Sequence, residues 1–254
     1  VRKLLSLCAL SLLAACAAPT PPAPATLHVA ATDLAAPLLS DLIAAYAEVN
    51  PDISLIPATV PLSTLSSDLA SGQIDLALGV SADPTLPWAT PLGYVSFAVV
   101  VNSANPLDSL SAAQVKEIFA GRVMSWGQVG GPEGEIEIIS REDASDAARA
   151  FGDAALSGAI PTPNALVAPS WEAMREAVSQ NPNAIGYLPL PELDATVKRV
   201  RVDADWRALV VAVAVQEPAS PSATLRASPA RDFLAWAQSE EGQRVVARRY
   251  EPVR

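Results

Sequence analysis

From Leu27 onward the apolar residues switch repeatedly between a spacing of two and a spacing of about 3.6. Leu27, Val29 and Ala31 alternate as a short strand does. Leu34, Leu38, Leu42, Tyr46 and Val49 then fall on one helical face, ended by Asn50-Pro51. Residues 53–56 read as the next strand. Leu62, Leu65 and Leu69 make a short amphipathic helix stopped at Gly72, after which Ile74, Leu76 and Leu78 restart a strand. Further along, the pattern predicts a long apolar strand over 94–102, a helix over 114–119, a strand over 136–140 and an Ala-rich helix over 145–156. Trp171, Met174 and Val178 mark another helix, 184–190 is an extended piece broken by prolines, 209–215 is a buried-strand run, and helices follow around 231–238 and 241–248. Strands alternating with helices are the mark of βαβ units, so the expected fold is α/β with a doubly wound, mostly parallel sheet. No internal repeat is present.

Composition narrows what such a fold could do. The 254 residues carry 17 Lys+Arg against 27 Asp+Glu, a net charge of −10. An acidic body without a local basic cluster argues against nucleic-acid binding. One His (His28) and two Cys cannot build a zinc site of the usual type or a Ser-His-Asp triad with an imidazole to spare. No glycine-rich phosphate loop appears either, so no enzyme, cofactor or metal is expected. Half the residues are hydrophobic but only 5% are aromatic, which predicts a core of Ala, Val, Leu and Ile. The five tryptophans, including Trp88 and Trp171, read as packing residues, with Trp88 also placed to wall a cleft.

The first residues read as an export segment. Arg2 and Lys3 precede an uncharged, mostly apolar run over 4–13 that leads into Leu13-Ala14-Ala15-Cys16. This run is too short to span a bilayer core of about 30 Å, which takes around 20 residues, so 1–15 is expected to be a signal peptide. The last four residues resemble the bacterial lipobox, which implies lipidation at Cys16 and leaves no thiol for a disulfide. Proline fixes φ and lacks a donor, so the Pro/Ala-rich segment 16–26 is expected to be an extended tether holding the body off the membrane.

Four segments carry a family resemblance. Val99-Val100-Val101-Asn102 with Asn105-Pro106-Leu107 and Gln114 is the first; Ile118-Phe119-Ala120-Gly121 with Ser125-Trp126 and Gly130-Gly131 is the second. Ser140-Arg141-Glu142 with Ser145 and Phe151, and Asn181-Pro182-Asn183-Ala184-Ile185-Gly186-Tyr187, complete the set. In order and spacing the chain resembles the phosphate-binding family of ABC-importer solute-binding proteins, within the type 2 periplasmic binding protein superfamily. The resemblance implies two doubly wound Rossmann-like lobes joined by a two-crossover hinge. Lobe 1 would comprise 27–98 and 191–254 and lobe 2 would comprise 99–190, with crossings near Ala98 and Leu188. It also implies a monomeric, extracytoplasmic, lipid-anchored protein that captures a small oxyanion between its lobes and hands it to an ABC permease. A sensory or interaction lipoprotein of the same fold, with a degenerate or different site, is the alternative.

The implied ligand-binding residues are Thr32, Asp33, Arg141, Ser145 and Asp146. Thr32 matches a family serine that contacts the oxyanion, and it also suits a helix N-cap. Arg141 stands where a guanidinium fork would pair with oxyanion oxygens, or else it pairs with Glu142 or Asp143 at the surface. Ser145 matches a family serine at a helix N-terminus, where capping is its other reading. The chain departs from the family at Ser145-Asp146-Ala147, where Ser-Gly-Thr is usual, and at Asp33, which replaces a hydroxyl. Two roles for the acids stay open. One beside Arg141 would accept the proton of a hydrogen phosphate and reject sulfate; alternatively both simply favour helix N-termini from outside the cleft. Two acids pointing into the cleft would suit a cationic, zwitterionic or hydroxyl-bearing organic ligand.

Overall fold

The run Val29-Ala30-Ala31 can bury both faces only in a sheet covered on two sides, and all three residues are buried, while His28 before them is exposed. The computed structural model describes residues 25–80, 89–214 and 228–253. The signal peptide, Cys16, most of the tether and Trp88 lie outside the described residues.

The first half of the chain forms β1 (Ala25–Ala31), α1 (Ala36–Val49), β2 (Ile53–Thr59), α2 (Leu62–Ala70), β3 (Leu76–Val80) and the long β4 (Thr90–Asn102). It continues through β5 (Ser109–Leu110), α3 (Ala112–Phe119), β6 (Glu137–Ser140), α4 (Asp146–Ala155), β7 (Leu166–Val167), α5 (Trp171–Gln180) and β8 (Ala184–Pro189). After a short 3-10 turn at Leu190–Glu192 come β9 (Val197–Val202), β10 (Arg207–Ala214), α6 (Pro229–Ala237), α7 (Glu240–Val246) and β11 (Glu251–Pro252).

Strand β4 belongs to two sheets. Its first half, Thr90–Ser96, lies between antiparallel β10 and β11, and β10 joins it to parallel β3, β1 and β2. Its second half, from Phe97 to Asn102, lies between antiparallel β8 and β9, with β6 and β7 parallel beyond β8. Both sheets are therefore mixed and not mostly parallel: in the first, β10, inserted between β3 and β4, runs against both, and in the second β4 runs against β8 and β9. Strand β9 also keeps the chain beside the second half of β4 beyond the crossing expected near Leu188. Beyond β9, the Phe97 N–H donates to the Trp206 carbonyl at 2.8 Å.

Packing explains which elements the pattern could announce. On α1, Leu38, Leu39, Leu42 and Tyr46 are buried against the first sheet, each such side chain adding about 1.5–3 kcal/mol. Val49 extends past the sheet and is exposed, although the helical spacing put it on the core face. The other face of β1 is covered by α2, with Ala30, Leu65, Ile74 and Ala77 forming a separate small core. The few aromatic rings are not spread thinly. Phe97, Phe119, Phe151, Trp171, Tyr187 and Trp206 pack together beside both crossings, with Phe151 stacked on Tyr187 at 3.8 Å. Ala, Val, Leu and Ile still make up most of the core, and a second ring cluster, Tyr46, Phe233 and Trp236, packs between α1 and α6.

Candidate functional site

The ends of β1 and β6, and the first turn of α4, converge between the sheets. Thr32 follows β1. Its N–H donates to the Leu78 carbonyl at 3.0 Å, and its own carbonyl accepts from Ala35 and Ala36. The residue preceding α1 in capping position is Ala35, with no side-chain cap, so the Thr32 hydroxyl is not spent on capping. It is 1% exposed, and Thr32 Oγ1 makes no well-formed hydrogen bond. Asp33 occupies the next position in the same turn.

Arg141 follows β6 and is 6% exposed. Its N–H donates to the Tyr187 hydroxyl at 3.3 Å, and its guanidinium carbon lies 4.7 Å from the centre of the Trp171 ring, a stacked cation on an aromatic face. Arg141 Nη2 donates to Asp33 Oδ2 at 2.6 Å, across 108 positions of sequence and across the junction of the two sheets. Nε and Nη1 of the same side chain are buried without partners among the described residues. A guanidinium so fixed offers two N–H directions to an anion.

The two acids differ: Asp146 points inward, while the Asp33 side chain is partly exposed. Asp146, at the first position of α4, is 3% exposed. Burial pushes its carboxyl up to about 6; the nearby Thr32 hydroxyl and the N–H groups of Ala147 and Leu34 oppose this, and the charge of Asp33 adds to it. The Leu34 contact shows that α4 of the second sheet reaches the loop before α1 of the first. Burial also raises the Asp33 carboxyl, the Arg141 charge lowers it and Glu192 raises it again. Ser145 caps α4: its hydroxyl accepts from the Ala148 N–H at 3.1 Å and donates to the Glu142 carbonyl at 2.6 Å. Thr32, Asp33, Arg141 and Asp146 therefore meet, while the Ser145 hydroxyl is occupied at their edge.

A cavity of about 780 Å³ opens beside this cluster, between α2 and α4. Leu65, Leu69, Val80 and Val213 line one side and Asp143 and Ala148 the other. Gly79 connects the two places: a Cβ there would lie 3.5 Å from Thr32 Cγ2 and 3.4 Å from Leu65 Cδ2. Arg141 is not in the cavity wall, so the charged cluster sits next to the apolar space and not inside it. Among the described residues no group of His, Cys, Asp or Glu side chains is arranged to hold a metal ion. The chemistry on offer is recognition of charge, with one fixed cation and two carboxyls able to take up protons.

Two contributors escaped the sequence reading in their site roles. Trp171, taken as packing, is buried and also forms the platform under Arg141. Tyr187 anchors the Arg141 backbone through its hydroxyl. Trp171 has no local signal for this role, since it opens α5, far from Arg141 in sequence, and meets it only through the fold.

The profile of the PBP superfamily domain matches residues 17–241. The phosphate-binding protein PstS of Bacillus subtilis is 24% identical over 188 residues, 70% of this chain and 62% of that protein. The chain thus spans less than two thirds of that relative's length. Among solved structures, a substrate-binding protein with bound phosphate from Clostridium perfringens superposes with a TM-score of 0.77 at 21% identity, covering 90% of this chain and all of the other. An ABC-type phosphate transport receptor from Vibrio cholerae gives 0.72 at 21% identity over 90% of this chain. At these identities the structures establish the shared periplasmic-binding-protein fold.

Proposed function

We propose, from the premise that this chain belongs to the PBP superfamily, that it is a non-catalytic, extracytoplasmic solute-binding protein. It captures a small oxyanion, phosphate foremost, between its lobes and delivers it to an ABC permease. The single observation that supports this best is Arg141. It is a buried cation stacked on Trp171, with two N–H groups left without partners at the junction of the lobes. The names of the relatives and the bound phosphate of the Clostridium structure point the same way. In this reading the lobes divide along β4 between Ser96 and Phe97 and again at 203–206, a monomer suffices, and Cys16 carries the lipid that tethers the body to the membrane.

The test is calorimetric titration of phosphate near neutral pH, with sulfate as control and Arg141→Ala alongside. Phosphate binding that the variant loses is the expected result, and phosphate at 100 times its Kd should stabilise the fold by about 2.7 kcal/mol. No heat from phosphate with the wild-type protein would overturn the reading. Support for a sensory or interaction role comes from one specific feature: the lobes already meet through Asp33 and Arg141, whereas Asp146-Ala147 offers fewer donors than the family pattern.

A further inference from the structure

A solute-binding cleft usually closes because the solute supplies contacts to both lobes. Here the chain supplies one such contact itself. The Arg141 guanidinium is held from behind by Trp171 and through its backbone by Tyr187, so its position is fixed by the second lobe. The Asp33 side chain is 43% exposed and sits in a turn, not in a helix. Among the described residues its only hydrogen-bonded partner is Arg141. One member of the pair is therefore anchored and the other is free to swing out.

We propose that Asp33, by holding Nη2 while Nε and Nη1 stay without partners among the described residues, occupies part of Arg141's anion-binding position, that it latches the two lobes together in the absence of solute, and that an oxyanion binds by displacing it. This inference rests on the solute-binding reading above.

The surrounding charges support exchange over simultaneous occupancy. The groups that act on Asp33 are Arg141 from the β6 end and Glu192 from the 3-10 turn after β8. Asp146, on the first turn of α4, is close enough to feel the Asp33 charge. Glu192 is itself held by Arg175 at 3.1 Å. Arg141, already paired with Asp33, thus lies near further carboxyls at Asp146 and Glu192, and a phosphate added without removing a negative charge would meet groups of like sign. Departure or protonation of Asp33 removes that obstacle. Burial favours the protonated form of Asp33, and protonation weakens the latch.

The test uses the full chain and its Asp33→Asn and Asp33→Ala variants. Small-angle scattering without phosphate reads lobe closure, and calorimetry at pH 8 reads phosphate affinity. Both variants should have a larger radius of gyration than the wild type before phosphate is added. They should bind phosphate about tenfold more tightly at pH 8, the scale of a charge-assisted hydrogen bond no longer competing. Unchanged compactness in both variants overturns the latch, and weaker phosphate binding makes Asp33 a ligand contact and overturns the displacement. Silence from phosphate in all three proteins overturns the solute reading and displacement with it, while scattering still decides whether Asp33 holds the lobes together.

Discussion

Asp146 places a carboxyl where a carboxylate is expensive, and replacing it with Asn measures the cost. The ordinary carboxyl value is 3.8 and burial moves it to about 6 in the folded chain. At about 1.36 kcal/mol per pH unit of separation, ionising Asp146 in the fold costs about 3 kcal/mol relative to the unfolded chain once the pH is well above 6. The sign follows from which state holds the proton more tightly. The folded state does, so the contribution is intact below 3.8 and is lost as the pH rises through about 6. At pH 5 the unfolded chain has already released this proton and the folded chain has not, which leaves a cost of about 1.6 kcal/mol. Asn keeps an oxygen for the Leu34 and Ala147 N–H groups and carries no charge. Asp146→Asn should therefore exceed the wild type by about 3 kcal/mol at pH 8 and about 1.6 kcal/mol at pH 5. Urea unfolding at both pH values, followed by tryptophan fluorescence, gives the four free energies directly. A difference between the proteins that is the same at pH 5 and pH 8, or a variant less stable at pH 8, would refute the argument. A stabilising substitution at this position would also mark Asp146 as kept for something other than stability.

Two further substitutions probe the scaffold around the cluster. A Cβ on Gly242 would sit 2.3 Å from the Trp236 carbonyl oxygen and 2.6 Å from Ala237 Cα, both backbone atoms. Gly242→Ala should therefore cost about 3 kcal/mol or more, seen as a lowered urea midpoint or loss of soluble protein. The buried Tyr250 hydroxyl donates to the Leu34 carbonyl at 2.9 Å and so ties the site loop to the chain's last strand. Tyr250→Phe should cost about 1–2 kcal/mol at an unchanged m-value.

What the sequence made legible is what periodicity can encode. Helix α1 announces itself because Leu38, Leu42 and Tyr46 must face the sheet together, and the central strands because both their faces are covered. Strand β9 escaped because Lys198 and Arg199 separate Val197 from Val200 and Arg201 follows, so its two buried valines look like isolated apolar residues in a charged stretch. Strands β5, β7 and β11 have two residues each, too few for any period. At the site, the family resemblance pointed to Thr32, Asp33, Arg141, Ser145 and Asp146. It could not say which way the acids face. That depends on how α4 is rotated against the loop before α1, and no residue near Asp146 in sequence sets the angle. The same limit hid Trp171, whose ring reaches Arg141 only because α5 packs against β6 and β8.

Strand β10 lies between β3 and β4, and this decides the order in which the molecule can be completed. When β3 has been made, its neighbour on that side does not yet exist; residues 81–206, with the whole of the second sheet, must follow before β10 can pair with it. Until then β3 keeps an open ladder of donors and acceptors, the condition that invites wrong partners. The second lobe meets no such delay, since all its strands from the latter half of β4 to β9 emerge in one continuous stretch. The lobe started first is the one finished last, and a chain that stops short of β10 carries an unfinished sheet beside a complete one.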